Sequence, residues 1–235
     1  MRSYLVVDDN RAFAENLAEI LRDQGDEAIV ATGGMQALNL VRERRFDALI
    51  TDMKMPVMGG AQLVHEIRRV DPGLAAIVVT AYTGEDDLIG ARQEGILAVL
   101  PKPVPIDQLI SLLSVARRDG VVAVVEDDVG LSENLVEALR DHGFTALTAR
   151  SAIETERLGR VRPFAAVVDL RLPGSPRGEV LAQLSQRFDS LPILVMTGFP
   201  DLTPSVSPVR IFQKPFDTSQ LLDALEGLYR PGGAT

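Results

Sequence analysis

The stretch at residues 46–60, FDALITDMKMPVMGG, constrains the fold most, because it ends an apolar run on one carboxylate and then turns. A second copy, FAAVVDLRLPG at residues 164–174, places Asp169 where the first copy has Asp52. A short apolar run bounded by turn residues is typical of a strand buried on both faces of a parallel sheet. An Asp at the carboxyl end of such a strand faces the crevice where open α/β sheets bind ligands. Asp52 and Asp169 are therefore the first candidates for chemistry.

Length and composition narrow the class of protein. A repeat at near half-length in a 235-residue chain predicts two domains, at residues 1–118 and 121–235. The net charge is −9 and both halves are mildly acidic, so direct binding to nucleic acid is not expected, since phosphate contacts need clustered Lys and Arg. The chain has no Cys for a disulfide or a thiolate metal site. No apolar run approaches the roughly 20 residues of a membrane-spanning helix, and we expect a cytoplasmic protein without membrane contact.

Strand and helix patterns alternate strictly in each half. Five apolar runs predict strands in the first half, at residues 4–7, 28–31, 48–51, 75–79 and 96–100. The second half repeats them at residues 121–125, 144–147, 165–168, 193–196 and 209–212. Between the strands lie stripes such as Phe13, Leu17 and Leu21, which are typical of an amphipathic helix. The alternation predicts an α/β fold with two doubly wound parallel sheets.

The two halves differ near the fourth helix. Thr80 and Thr197 are 117 positions apart, whereas Lys102 and Lys214 are only 112 apart, so the second half lacks five residues there. The remaining segment at residues 198–210, GFPDLTPSVSPVR, carries three prolines, which cannot lie inside an α-helix. The sequence predicts that the fourth helix of the second domain is shortened or missing.

Polar residues end the strands of the first half, and the carboxyl ends of those strands meet at one edge of the sheet. Asp8, Asp9 and Asp52 would lie close together there, and a hard cation such as Mg²⁺ would relieve their repulsion. With the metal bound, Asp52 can act as a nucleophile toward phosphorus. Lys102 and Thr80 can bind phosphoryl oxygens and share the developing charge. The spacing therefore predicts a site for phosphoryl chemistry.

Four motifs occur in register in both halves, and together they resemble the receiver domains of two-component response regulators. In the first half they read VVDD at 6–9, TDMKMPVMGG at 51–60, VVTAY at 78–82 and PKP at 101–103. In the second half they read VVED at 124–127, VDLRLPG at 168–174, VMTG at 195–198 and QKPF at 213–216. The resemblance implies two tandem flavodoxin-like (βα)5 domains with strand order 2-1-3-4-5.

The resemblance also implies a role for each motif residue. Asp52 and Asp169 would accept a phosphoryl group from a phosphohistidine, assisted by Thr80, Lys102 and, in the second copy, Thr197 and Lys214. The implied ligands of Mg²⁺ are Asp52 and Asp169 themselves, Asp9 and Asp127 directly, Asp8 and Glu126 through water, and the backbone carbonyls of Lys54 and Arg171. The peptide bonds before Pro103 and Pro215 are expected to be cis. Two positions depart from the pattern, because Val99 and Ile211 stand where receivers carry Tyr or Phe.

The implied function is signal transduction by a phosphoacceptor that catalyses its own phosphorylation and dephosphorylation, and not by a conventional enzyme. The implied donor is a sensor histidine kinase or a histidine phosphotransfer protein, and the output is a contact with a downstream protein target, a phosphorelay or a homodimer. Two alternatives stay open: the second domain is a phosphate-independent docking or dimerisation module, or the chain is the receiver part of a longer regulator. A phosphatase of the haloacid dehalogenase type fits less well, because it needs an acid where Lys54 and Arg171 stand.

Overall fold

The computed structural model describes residues 1–81, 95–175, 178–199, 204 and 206–230. The chain divides into two compact units, Met1–Arg118 and Asp119–Thr235. Within the described ranges, no helix has both the length and the apolar character needed to span a membrane.

The first unit is a five-stranded sheet in which all neighbouring strands are parallel. Its elements are β1 (Ser3–Val7), α1 (Arg11–Asp23), β2 (Glu27–Ala31), α2 (Gly34–Glu43), β3 (Ala48–Asp52), α3 (Gly60–Val70), β4 (Ala75–Thr80), β5 (Ala98–Pro101) and α4 (Ile106–Val115). The strand order is β2-β1-β3-β4-β5. The helix expected between β4 and β5 falls on residues 82–94, outside the described residues.

The second unit repeats this topology. Its elements are β6 (Val121–Val125), α5 (Val129–Asp141), β7 (Thr145–Ala149), a 3₁₀-helix (Glu154–Arg160), β8 (Ala165–Asp169), α6 (Glu179–Arg187), β9 (Ile193–Thr197), β10 (Arg210–Gln213) and α7 (Thr218–Leu228). The strand order is β7-β6-β8-β9-β10, so the predicted fold class is confirmed in both units. The predicted shortening of the fourth helix depends on residues 200–203 and 205, which lie outside the described residues, and stays a prediction.

Helices on both faces explain why the central strands are continuous apolar runs. Every residue of β3 and of β8 is buried. In β1, Tyr4 and Val6 pack into one core of the first unit, whereas Leu5 and Val7 pack into the core on the opposite face. A strand that is covered by apolar layers on both faces does not alternate between apolar and polar residues. The residues that follow its carboxyl end lie at the edge of the sheet.

The crossover after β7 is a 3₁₀-helix, whereas its counterpart after β2 is the α-helix α2. Among the described side chains around the 3₁₀-helix, the buried ones recur every third position, at Ala152, Thr155, Leu158 and Val161. A 3₁₀-helix has three residues per turn, so this spacing keeps Thr155 and Leu158 on one face of the helix. In α2 the buried apolar residues are Ala37, Leu38 and Val41, which follow the α-helical period. The burial period of each segment thus matches the helix type that it adopts.

Candidate functional site

The first unit brings two acids and one lysine together at the carboxyl edge of its sheet. The Lys102 Nζ lies 2.6 Å from Asp8 Oδ2 and 2.8 Å from Asp52 Oδ1. Asp8 is 2% exposed and Asp52 is 7% exposed. One ammonium group therefore compensates two buried carboxylates that come from the ends of β1 and β3.

Backbone hydrogen bonds hold these side chains in place. The Asn10 N–H donates to Asp8 Oδ1 at 2.8 Å, and the Lys54 N–H donates to Asp52 Oδ2 at 3.1 Å. The Lys102 N–H donates to the Thr80 carbonyl at 2.8 Å, which ties the end of β5 to the end of β4. Each carboxylate thus has one oxygen fixed by backbone and the other bound by the ammonium group.

The chain turns sharply after Asp52, and two glycines make that turn fit. A Cβ on Gly60 would lie 2.3 Å from the Asp52 carbonyl oxygen, and a Cβ on Gly59 would lie 2.8 Å from the Met53 carbonyl oxygen. Neither backbone oxygen can move away easily, so a side chain at either position would displace the end of β3. The Gly60 N–H uses the same close approach to donate to the Met53 carbonyl at 2.9 Å.

Two further predicted residues flank the first site. Thr80 is the last residue of β4 and is buried, whereas Asp9 is exposed. The Lys102 Nζ also lies over the Phe13 ring, 4.5 Å from its centroid. Phe13 did not emerge as a site residue from the sequence, because it belongs to the apolar stripe of α1 and has the pattern of a core residue.

The surroundings of Lys102 favour its charged form. Burial by itself would lower the pKa of the Lys102 ammonium, but hydrogen bonds to Asp52 and Asp8 and the charges of both carboxylates outweigh burial. The net result is a pKa above the ordinary value of a lysine. The ammonium group is therefore charged throughout the physiological pH range.

The second unit builds the same arrangement from Lys214, Glu126 and Asp169. The Lys214 Nζ lies 2.7 Å from Glu126 Oε2 and 2.6 Å from Asp169 Oδ2. The other oxygen of each acid accepts a backbone N–H, from Asp128 at 3.2 Å and from Arg171 at 3.0 Å. Both acids are buried, so the second copy of the motif also produces an ammonium group held between two carboxylates.

The third acid distinguishes the two sites. Glu126, Asp127 and Asp169 each offer an oxygen within 4.8 Å of the others, so these three carboxylates could hold a metal ion. Among the described residues, this is the one group of three acidic, His or Cys side chains that meets this spacing. Asp8, Asp9 and Asp52 do not meet this spacing in the described residues, and their role as ligands of a metal ion stays a prediction.

Two titratable groups of the second site have shifted pKa values. Burial raises the pKa of the Glu126 carboxyl above its ordinary value, although the hydrogen bond and the charge of Lys214 oppose that rise. Burial alone would lower the pKa of the Lys214 ammonium, but its bonds to Asp169 and Glu126 outweigh burial and raise it. The charge of the lysine is thus secured by the acids on either side of it.

Thr197 ends β9, as predicted, but its hydroxyl is engaged locally. The Phe199 N–H donates to Thr197 Oγ1 at 2.9 Å, and Thr197 Oγ1 donates to the Phe199 carbonyl at 3.2 Å. The Phe199 ring lies under the Arg171 guanidinium, with 4.7 Å between Cζ and the ring centroid. This contact joins the loops that follow β8 and β9, and no motif in the sequence pointed to it.

The structure also places the Lys-Pro motifs and the two departures from the receiver pattern. The Lys102–Pro103 and Lys214–Pro215 peptide bonds are both cis, which confirms that expectation. Val99 is half-buried beside the core of the first unit, whereas Ile211 is 49% exposed on β10. In each unit the lysine and two acids thus lie together, and the aliphatic departures lie on the last strand of each sheet.

The chain is similar in sequence to known proteins. A model of the response regulator receiver domain matches residues 4–114. A response regulator receiver protein from Anaeromyxobacter sp. (strain Fw109-5) is 60% identical over 235 residues, which cover 100% of this chain and 98% of that protein. The transcriptional regulatory protein ZraR of Klebsiella oxytoca is 37% identical over 112 residues, or 48% of this chain, and the match spans only 25% of that regulator.

Solved structures also resemble the chain. One is the receiver domain of sensor histidine kinase PA1611 from Pseudomonas aeruginosa PAO1, which holds a magnesium ion in its active-site cleft. It is 27% identical, covers 48% of this chain and 94% of its own, and superposes with a TM-score of 0.45.

Proposed function

This chain belongs to the response regulator receiver family, and from that premise we propose that both of its units accept phosphoryl groups, on Asp52 and Asp169. Receiver domains are phosphoacceptors phosphorylated by histidine kinases, and they are not classical enzymes. The observation that carries the proposal is the ammonium group between two buried carboxylates, which occurs once in each unit. The donor is a phosphohistidine of a sensor kinase or of a histidine phosphotransfer protein.

The transfer involves one bond formed and one bond broken at phosphorus. A carboxylate oxygen of Asp52 forms a bond to phosphorus while the P–N bond to the donor histidine breaks, and the imidazole leaves with the bonding electrons and takes up a proton. Negative charge on the phosphoryl oxygens is stabilised by the Lys102 ammonium and by the Thr80 hydroxyl. Lys214 and Thr197 have these roles at Asp169.

The donor atoms of both sites suit Mg²⁺, because all the candidate ligands are oxygens. The carboxylates of Glu126, Asp127 and Asp169 would hold the ion in the second unit, with the carbonyl of Arg171. Their counterparts in the first unit are Asp8, Asp9, Asp52 and the carbonyl of Lys54. When bound, Mg²⁺ supplies positive charge that offsets the repulsion between the carboxylates and the incoming phosphoryl group.

The output is a phosphorylation-dependent contact with another protein, which is either a downstream target or the next member of a phosphorelay. A homodimer is a third form that this contact can take. Each form requires that the phosphoryl group changes the surface around the site, which is the common logic of charge-adding switches.

The test is intact-protein mass spectrometry after incubation with acetyl phosphate and Mg²⁺. We expect two phosphoryl groups on the wild type, one on Asp52→Asn, one on Asp169→Asn and none on the double variant. Asp23→Asn and Asp141→Asn change exposed aspartates outside the sites and are the matched controls. If the wild type always carries a single phosphoryl group on the same Asp, the other unit does not accept phosphoryl groups and the proposal is wrong for that unit.

A second candidate function applies to the second unit alone, which would be a docking module that does not respond to phosphate. The engagement of the Thr197 hydroxyl by the Phe199 backbone favours it, because this hydroxyl must be released before it can bind a phosphoryl oxygen. Beryllofluoride, which mimics the phosphoryl group, distinguishes the two functions. Chemical-shift changes confined to residues of the first unit support docking, and changes around Asp169 exclude it.

A further inference from the structure

Lys102 has a third neighbour besides its two carboxylates. Its Nζ lies over the face of the Phe13 ring, 4.5 Å from the ring centroid. Phe13 lies in the first turn of α1, where its N–H donates to the Asn10 side chain at 3.2 Å. The ring is half-buried and packs against the core of the first unit, so it is held from behind while its face meets the ammonium group.

The ring face can interact with the part of the Lys102 ammonium group that does not contact the two acids. An ammonium group has three N–H donors and no acceptor, and two short bonds bind Lys102 to Asp8 and Asp52. The face of an aromatic ring carries negative charge density and attracts a cation within about 6 Å of its centroid. Three groups of negative character therefore confine the charge on Lys102.

The second unit provides a natural comparison. Its helix α5 begins after Asp128, whose side chain accepts the Leu131 N–H at 2.8 Å, as Asn10 does for Phe13. Leu131 thus stands at the helix position that corresponds to Phe13, and it also packs partly buried against the core. Leucine fills a similar volume but has no ring face. Lys214 makes the same two bonds to acids as Lys102.

The geometry points to Phe13 as a positioning residue that holds the Lys102 ammonium beside Asp52 and thereby speeds phosphoryl acceptance in the first unit. The inference rests on the proposed function, since the ammonium group is the charge that stabilises the phosphoryl oxygens. A charge that is already in position costs no reorganisation during the reaction. Phe13 itself touches no reacting atom and acts through Lys102.

The contact can be measured without any phosphoryl transfer. The chain contains only three lysines, Lys54, Lys102 and Lys214, so ¹³C-lysine labelling gives three resolvable sets of ε-methylene NMR signals. We expect the ring current of Phe13 to move the Lys102 ε-proton signals upfield of those of Lys214. In Phe13→Leu that displacement is lost, and in Leu131→Phe the Lys214 signals move upfield. Lys102→Arg and Lys214→Arg assign the signals.

The functional consequence is tested with one active site at a time. In the Asp169→Asn background, we expect Phe13→Leu to lower the maximal rate of Asp52 phosphorylation by acetyl phosphate roughly three- to tenfold, the factor that a partly buried cation–π contact supplies. The acetyl phosphate concentration at half-maximal rate stays the same. Phe13→Tyr and Phe13→Trp keep a ring face, so we expect them to retain the rate of the protein with Phe13. In the Asp52→Asn background, Leu131→Phe raises the rate at Asp169.

Each outcome decides the inference. Wild-type Lys102 signals that coincide with those of Lys214 would overturn it, and so would equal rates for Phe13→Leu and Phe13→Tyr. If Phe13→Leu lowers the melting temperature, the rates of Phe13→Tyr and Leu131→Phe decide instead, and an unchanged rate in Leu131→Phe would then count against it. A displaced Lys102 signal in a wild type that takes up no phosphoryl group on either Asp would refute the proposed function and with it the role of the contact.

Discussion

The loops that follow β3 and β8 each contain a residue with a positive φ, but the residue type differs between them. In the first unit Val57 adopts a φ of 69°, and in the second unit Gly174, 117 positions later, adopts a φ of 78°. Only glycine adopts this left-handed region without strain, and a β-branched residue there is an outlier. Because the strained residue is 95% exposed, no packing explains it. A local hydrogen bond closes the turn around Val57, since the Met58 N–H donates to the Pro56 carbonyl at 2.8 Å.

The same comparison extends to the sites. Both units hold a lysine between two buried acids, but only in the second unit do three carboxylates lie within 4.8 Å of one another, among the residues that the structure describes. The first unit adds an aromatic ring under its lysine. We infer that the two sites compensate their charge differently, with more reliance on a metal ion in the second unit and more on the lysine in the first.

The largest expected effect comes from removing the lysines. Lys102→Met and Lys214→Met each leave two buried carboxylates uncompensated, and we expect each to destabilise its unit by about 3 kcal/mol without Mg²⁺. Millimolar Mg²⁺ restores more of the loss in Lys214→Met, because three acids are already gathered there. Hydrogen exchange followed by mass spectrometry on the full chain reports each unit separately.

Arg45→Met is the control, because Arg45 is an exposed cation of the first unit that lies outside both sites. A change of no more than about 0.5 kcal/mol is expected for it. Equal recovery of Lys102→Met and Lys214→Met with Mg²⁺ would remove the distinction between the two sites.

The next effect is a difference in alkaline stability. Burial, assisted by the charge of Asp26, raises the pKa of Tyr4 from 10.0 to about 12. The folded state therefore keeps its proton more tightly than the unfolded state, so this stability is fully present below pH 10 and is lost as the pH rises from 10 to about 12. The difference corresponds to at most roughly 3 kcal/mol. The counterpart in the second unit is Val122, which does not titrate.

We therefore expect the first unit to lose more stability than the second between pH 9 and pH 12, as measured by denaturant unfolding with residue-level exchange. Tyr4→Phe should remove the difference. The lysine–acid pairs contribute to both units in the same direction, since their raised pKa values also place the loss above pH 10.5. A first unit that is no more sensitive to alkali than the second would show that Tyr4 is not the cause.

The smallest effect tests the turns directly. Val57→Gly is expected to stabilise the first unit by about 0.5 to 1 kcal/mol, because relief of the strained φ exceeds the entropy cost of glycine. Gly174→Val is expected to destabilise the second unit by about 1 to 2 kcal/mol. A Cβ at Gly174 would be 3.8 Å from its nearest neighbour, Ala152 Cβ, so the cost is conformational and not steric. Thermal unfolding of both variants and of Val57→Ala measures these differences.

The fold could be predicted because its determinants are local and repeated. Strands such as β3 and β8 are buried at every residue, so their apolar runs stand out, and strict alternation predicts a doubly wound parallel sheet. The resemblance to receiver domains then implied the strand order. The pairing of Asp52 with Lys102 followed from that topology, since both lie at the carboxyl ends of strands in one sheet.

What the sequence did not predict depends on finer geometry. The 3₁₀-helix Glu154–Arg160 is marked by buried residues every third position, a period that is easily mistaken for a weak α-helical stripe. Phe13 has the same pattern whether its ring lies wholly in the core or under an ammonium group. The distance from Asp9 to the other acids depends on side-chain directions after β1, and the left-handed Val57 contradicts the preference of its own residue type.

Lys102 also links strands that are far apart in the sequence. It connects the ends of the first, third and fifth strands of its sheet through two ionic contacts, one of them to a residue 94 positions away. If Asp52 is phosphorylated, the Lys102 ammonium group must interact with both the phosphoryl oxygens and Asp8. The proposed reaction would thus weaken the ion pairs that hold the ends of these three strands together. Phosphorylation would thereby change the packing at this edge of the sheet.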